Sequence, residues 1–204
     1  MRRLSDAIFA LQLAATGGFC LSSALRACED VRGVALSAHL GLLIFLVLNL
    51  FLVTTARKRG WEVQKATIGY VWSLLSIGTV ITTIAVSGRY TWSQDDSVCA
   101  TTVVTMMAAV ACCKMQRATR MGTLAVVCRG FPQLFLMARM LQEGAGGIPL
   151  AALLAQHVIN CARIAQLCIA ARDKDANIRA AMLAEVAVEI LWIATSVVWI
   201  GVQG

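Results

Sequence analysis

Seven runs of mostly apolar residues, each about long enough to cross a hydrocarbon layer, leave this chain little choice of fold. They fall at 5–27, 34–56, 66–88, 97–115, 119–141, 148–171 and 177–202. Short turns join them, holding Glu29-Asp30, Arg57 to Arg59, Gln94 to Asp96, Gly144 to Gly147 and Asp173 to Asp175. A backbone in lipid has to satisfy its own hydrogen bonds, so runs of this length predict helices. The expectation is an all-α integral membrane protein with seven transmembrane helices, multi-pass, with the lipid bilayer as its first partner and no room for a soluble domain. Composition agrees: 59% of residues are hydrophobic and only 14% charged, where soluble domains carry roughly 25%. Trp61, Trp92 and Trp199 lie near predicted helix ends, as interfacial anchors do. Arg2 and Arg3 precede the first run, which continues past the length of a signal core and is read as the first span.

The net charge of +7 does not indicate nucleic acid, because the basic residues flank apolar segments instead of forming a patch with aromatics. Arg57 to Arg59, Lys114 with Arg117 and Arg120, and Arg172 with Lys174 all gather on the side of the N-terminus. Only Arg26, Arg32, Arg89 and Arg139 fall on the other side, so the charge bias places the N-terminus in the cytoplasm. Most of the eight cysteines lie within apolar runs, where the thiol acts as a small hydrophobe. Cys28 and Cys99 are near helix ends on one side, which leaves a bridge between them open. No cysteine or histidine spacing suits zinc, and no cofactor is expected.

Against this apolar background, Arg129, Arg163, Glu185 and Glu189 stand inside predicted spans. A charge at bilayer depth costs at least ~2.5–3.5 kcal/mol, so it persists only where a partner or a wet cavity receives it. Arg129 and Gln133 are spaced i, i+4; Gln156, Asn160 and Arg163 are spaced i, i+4, i+7; Glu185 and Glu189 are again i, i+4. Each set therefore shares one helix face. At ~1.5 Å rise per residue, Arg129 is ~13 Å along its helix from Arg120, and Glu185 and Glu189 are ~9 and ~15 Å from Arg179, which brackets the arginines in depth. A structural ion-pair network would account for such a cluster, and so would a substrate path. Four charges and three amides exceed what packing requires, so we favour a site in which Arg129, Gln133, Gln156, Asn160 and Arg163 bind substrate and Glu185 or Glu189 takes a proton. Pro132, mid-span, removes a backbone hydrogen bond and is expected to act as a hinge. His157 is offset from the stripe and reads more simply as an interhelical hydrogen-bonding residue. Asn49, Tyr70, Ser73 and Ser76 are secondary candidates for the opposite wall, although small and hydroxyl residues also serve helix packing.

A weak internal duplication is visible. Gly18-Phe19 followed by Gly33-Val34-Ala35-Leu36 echoes Gly130-Phe131 followed by Gly147-Ile148-Pro149-Leu150. The chain then divides into a first three-helix repeat at 1–90, a linking helix at 91–118 and a second repeat at 119–204. Pro132-Gln133 in mid-span, Gly147-Ile148-Pro149-Leu150, Asn160, Ala162-Arg163-Ile164 and the charged turn Arg172 to Asp175 together resemble the second repeat of PQ-loop membrane proteins. That group includes SWEET-type sugar transporters, cystinosin-type exporters and the mannose-P-dolichol utilization proteins, and the Ala-Arg-Ile ending is most similar to the last branch. The resemblance implies a three-plus-one-plus-three bundle around a central substrate path, with Pro132 and Gln133 as the hinge motif and Asn160 and Arg163 on the neighbouring helix. It covers about a quarter of the chain well. Where it would place a Pro-Gln pair in the first helix, this chain has Cys20-Leu21. The family also usually places its N-terminus outside or in the lumen, opposite to the charge bias.

Rival classes are less well supplied. Lys58, Lys65, Lys114 and Lys174 are expected in or beside loops, which leaves no mid-helix amine for a retinal Schiff base. An enzyme is not expected, since no His-Glu-x-x-His helix or Gly-x-Ser-x-Gly elbow occurs. The reading preferred from sequence is a transporter of a small polar or anionic metabolite, of the sugar or amino-acid class, with proton coupling and a homo-oligomer left open. Its alternative is a non-transporting accessory protein that serves a lipid-linked sugar or a partner membrane protein.

Overall fold

The computed structural model describes residues 2–55, 60–171 and 176–203, and seven helices among them are long and apolar enough to span a membrane. The basic turn at 57–59, with Lys58, and the charged turn at 172–175, with Lys174, lie outside the described residues. The helices are α1 (Arg2–Ala27), α2 (Leu36–Thr54), α3 (Trp61–Val86), α4 (Gln94–Cys112), α5, α6 (Leu150–Ala171) and α7 (Ala176–Gln203). Helix α5 is built from Arg117–Ala125, a π-helical turn Val126–Gly130, and Phe131–Glu143. Leu21, Leu25, Val86, Leu183, Val197 and Ile200 all point outward and are exposed. Around a soluble protein so much apolar surface would drive association, whereas facing lipid it is at home.

Helices α3 and α4 start five and three residues earlier than the hydropathy pattern predicts, and side-chain chemistry explains both. Helix α4 takes Gln94 to Asp96 into its first turn because Ser93 and Asp96 form a capping box. Asp96 N–H donates to Ser93 Oγ at 3.1 Å, and Ser93 N–H donates to Asp96 Oδ2 at 3.1 Å. Helix α3 begins at Trp61 and so includes Lys65, which is not in a loop: its residue is 4% exposed, and its Nζ donates to Asp6 Oδ1 at 2.9 Å and Ser5 Oγ at 3.1 Å. The neighbouring carboxylate lets the ammonium sit inside the bundle.

Helix α3 packs against both α1 and α2, and α7 packs against both α5 and α6. Helix α1 also lies on α6, and α2 on α5. Followed from neighbour to neighbour, α1, α6, α7, α5, α2 and α3 close a ring, while α4 lies against α2 and α5. Cys99 of α4 is fully buried there with Phe45, Val103 and Cys128. Cys28 is exposed, and both are free thiols, so the bridge left open by the sequence is not formed.

On the face opposite the N-terminus, the turns at 28–35 and 144–149 interlock. Gly147 N–H donates to Arg32 O at 2.8 Å, Arg26 Nε to Gly146 O at 2.7 Å, and Gly33 N–H to Glu143 Oε2 at 3.2 Å. Arg32 also binds Asp30 at 2.7 Å, and this hydrogen bond holds the Asp30 carboxyl below its ordinary range. Gly33 has φ of 75°, and a Cβ there would stand 2.2 Å from Gly144 O. Gly33→Ala should therefore lose roughly 1–2 kcal/mol to the left-handed backbone alone and more to the clash. A lowered unfolding temperature of the purified protein would show it, and an unchanged one would refute the close approach.

The expected break at Pro132 takes a specific form. The Phe131 N–H bonds to Val126 O, one residue further back than in an α-helix. Pro132 has no N–H, and its ring crowds the carbonyl four residues earlier, at Cys128, so a widened turn relieves the conflict. Helix α2 closes on this spot through Gly41, where a Cβ would meet Cys128 O at 2.6 Å and Pro132 Cγ at 3.1 Å. Gly41→Ala should destabilise by about 1–3 kcal/mol through overpacking. Gly78→Ala is the control, because a Cβ at Gly78 meets nothing within 4 Å.

Candidate functional site

The four intramembrane charges meet as two ion pairs. Arg129 Nη2 lies 2.7 Å from Glu189 Oε1, joining α5 to α7, and Arg163 Nη2 lies 2.7 Å from Glu185 Oε2, joining α6 to α7. The pairs differ in burial: the side chains of Arg129 and Glu189 are 10% and 1% exposed, those of Arg163 and Glu185 26% and 16%. The spacing that put each stripe on one face brings these faces together. With its nitrogen turned toward the carboxylate, the Asn160 amide donates to Glu189 Oε2 at 3.1 Å, and the amides of Gln156 and Asn160 are 2.7 Å apart. The Arg129 guanidinium also stands over the Phe45 ring at 5.2 Å, a favourable cation–π arrangement.

These groups border a cavity of about 540 Å³ inside the ring. Its lining runs from Ser5, Lys65 and Ile169, toward the N-terminal face, to Phe19, Ser76 and Gln156 deep in the bundle. Arg129, Arg163 and Glu189 stand on its wall, with Tyr70 and Ser73 of α3. A second cavity, about 60 Å³, continues toward the opposite face beside Val34, Gly147 and Ile148. Phe19, Gln156 and Trp192 line both cavities and so form the partition between them.

The remaining expected residues are placed less centrally. Gln133 is fully buried, donates through Nε2 to Thr195 Oγ1, and borders the small cavity; its Oε1 has no partner among the described residues. Asn160 is also fully buried and backs the ion pair instead of lining the cavity. Asn49 donates to Phe45 O at 2.8 Å and accepts from Tyr70 at 3.4 Å, which places it behind the cavity wall. His157 bonds Leu153 O at 2.7 Å and Ser196 Oγ at 3.0 Å, linking α6 to α7.

A second polar network lies near the far face, and sequence reasoning overlooked it. Arg139 Nη1 donates to Asp96 Oδ2 at 2.7 Å and to the Tyr90 hydroxyl at 2.6 Å, and its Nε donates to Glu143 at 3.1 Å. Tyr90 donates to Asp96 Oδ2 at 2.6 Å and accepts from Leu36 N–H at 2.8 Å, while Ser37 N–H donates to Asp96 Oδ1 at 3.1 Å. Burial and the bond to Asp96 push the Tyr90 phenol well above its usual range, so it remains a donor. The available signal was the Ser93-x-x-Asp96 capping pattern, which placed Asp96 on a helix instead of in a loop. Compared with protein-family models, with curated proteins and with solved structures, the chain finds no match in any of the three.

Proposed function

We propose that this chain is a membrane carrier for a small polar or anionic metabolite, with a PQ-loop-like plan of two three-helix repeats joined by α4. The observation that carries this reading is the cavity of about 540 Å³ with Arg129, Arg163 and Glu189 on its wall, deep among membrane-spanning helices. A pocket of that size accepts a metabolite, and charges at such depth are functional candidates by default. Three further features support it. The third helix of each proposed repeat, α3 or α7, packs against the other two. The matching glycine turns of the two repeats touch, through Gly147 and Arg32. The partition of Phe19, Gln156 and Trp192 separates a large cavity from a small one on the far side, as alternating access requires. In this reading Arg129, Arg163 and Gln156 contact substrate, Glu185 or Glu189 takes the proton, the widened turn before Pro132 is the hinge, and the charge bias sets the N-terminus in the cytoplasm.

The test is uptake of a panel of sugars and amino acids into proteoliposomes, with and without a pH gradient, for wild type, Glu185→Gln and Glu189→Gln. Gradient-dependent uptake that a folded variant loses is the expected result. Uptake indifferent to the gradient and to both substitutions would remove the proton role. No uptake of any compound would favour the accessory alternative.

A further inference from the structure

Of the three cations of the cavity wall, Lys65 is paired with Asp6, and Arg129 and Arg163 are each matched by one carboxylate deeper in the bundle. The charges cancel, so an anion that entered alone would leave one buried negative charge unmatched, a costly state at this depth. The pairs are not equivalent, however. Glu189 is the less exposed carboxylate, at 1%, and the Asn160 amide at 3.1 Å serves it whether or not it is charged. Its partner Arg129 borders the cavity and keeps a buried Nε with no partner among the described residues. A proton added to Glu189 dissolves the Arg129 ion pair and leaves one positive charge on the cavity wall; an anion then restores neutrality. The other charged or titratable groups around Glu189 are Arg163 of α6, Glu185 one turn away on α7, and Tyr70 of α3 near Arg163, with Lys65 further out on α3. None of them replaces Glu189 as the partner of Arg129.

The rest of the wall restricts the ligand further. Phe9, Phe19, Leu42, Phe45, Ile77 and Trp192 give the cavity an apolar body beside its polar residues. We propose that the substrate is a small organic monocarboxylate with an apolar body, bound together with one proton that resides on Glu189 while Arg129 holds the carboxylate. This inference rests on the carrier reading. Only a proton and two ion pairs exchange, and no bond to carbon forms or breaks.

The test uses the purified full chain in detergent and isothermal titration with hexanoate, with hexanamide and glucose as neutral comparators. Hexanoate affinity should rise as pH falls, by up to about tenfold per unit, because the bound state holds the extra proton. Repeating the titration in buffers of different ionisation enthalpy should show about one proton taken up per hexanoate. Glu189→Gln, which imitates the protonated residue, should keep binding and lose the proton uptake; should it not fold, wild type titrated with hexanesulfonate decides, because that anion stays ionised and a proton taken up with it resides on the protein. Hexanoate bound without proton uptake, or hexanamide bound equally well, overturns the proposal. Glucose bound while hexanoate is ignored overturns it too, yet leaves the carrier reading standing. If the folded protein binds none of the three, the monocarboxylate proposal fails, and the uptake panel judges the carrier reading separately.

Discussion

Arg139→Ala is expected to lower stability by about 3–5 kcal/mol, the cost of leaving a buried carboxylate without its cation. Asp96, the residue stranded, is 1% exposed, and Arg139 binds it at 2.7 Å. Arg139 also stacks on the Tyr90 ring at 4.7 Å and reaches Glu143, so one substitution loosens α5, α4 and the turn before α4 together. Asp96→Ala should cost at least as much, because the same carboxylate caps α4 and accepts from Ser37 N–H of α2. The double variant Arg139→Gln/Asp96→Asn should recover part of the loss, since it removes both charges and keeps capping oxygens. With the exposed thiols of Cys28, Cys112, Cys113, Cys161 and Cys168 blocked beforehand, the fully buried Cys99 and Cys128 supply the readout: their reaction with a thiol dye during thermal unfolding reports the melting of α4 against α5. Glu29→Ala is the control, as its side chain is 71% exposed and pairs with Arg26 at the surface, and such pairs contribute about 0–1 kcal/mol. An Arg139→Ala variant as stable as this control would sink the network's structural role.

Glu189→Ala should destabilise by a similar ~3–5 kcal/mol, whereas Glu185→Ala should lose only about 1 kcal/mol, because a partly exposed pair at a cavity edge is screened. The difference follows from burial, since both pairs have the same 2.7 Å separation. With Glu189 gone, Arg129 keeps a full charge against Phe45 and the buried side of α2. With Glu185 gone, Arg163 is left the more exposed of the two arginines, at 26% against 10%. The double variant Arg129→Gln/Glu189→Gln should lie closer to wild type than Glu189→Ala alone, which isolates the unpaired charge as the cause. Denaturant unfolding in one detergent, followed by circular dichroism, ranks the four proteins. Equal losses at the two glutamates, or the reverse order, would show that the bundle does not distinguish the pairs in this way.

Much of the cluster was legible beforehand because helical periodicity and depth are local properties of a sequence. Arg129, Arg163, Glu185 and Glu189 each needed a partner in lipid, and spacing restricted which faces could provide one. Periodicity does not say which arginine takes which glutamate. It did not separate Gln156, on the cavity, from Asn160 and Gln133, packed behind or above it. Arg139 and Asp96 escaped notice because both lie near predicted span ends, where charge is ordinary. Lys65 was misplaced for the same reason: Asp6, across on α1, makes its burial tolerable.

From the sequence alone, apolar run length determined seven membrane-spanning helices, since a backbone in lipid has few other ways to satisfy its hydrogen bonds. It also determined that the charges inside those helices would not face lipid. The tertiary structure decided what run length cannot encode: the neighbour order of the helices, the cavity that order encloses, and the partner of each charge. It also decided that Pro132 would be accommodated by a π-helical turn against Gly41. Those outcomes depend on contacts between residues tens of positions apart, and close packing, not local propensity, selects among them.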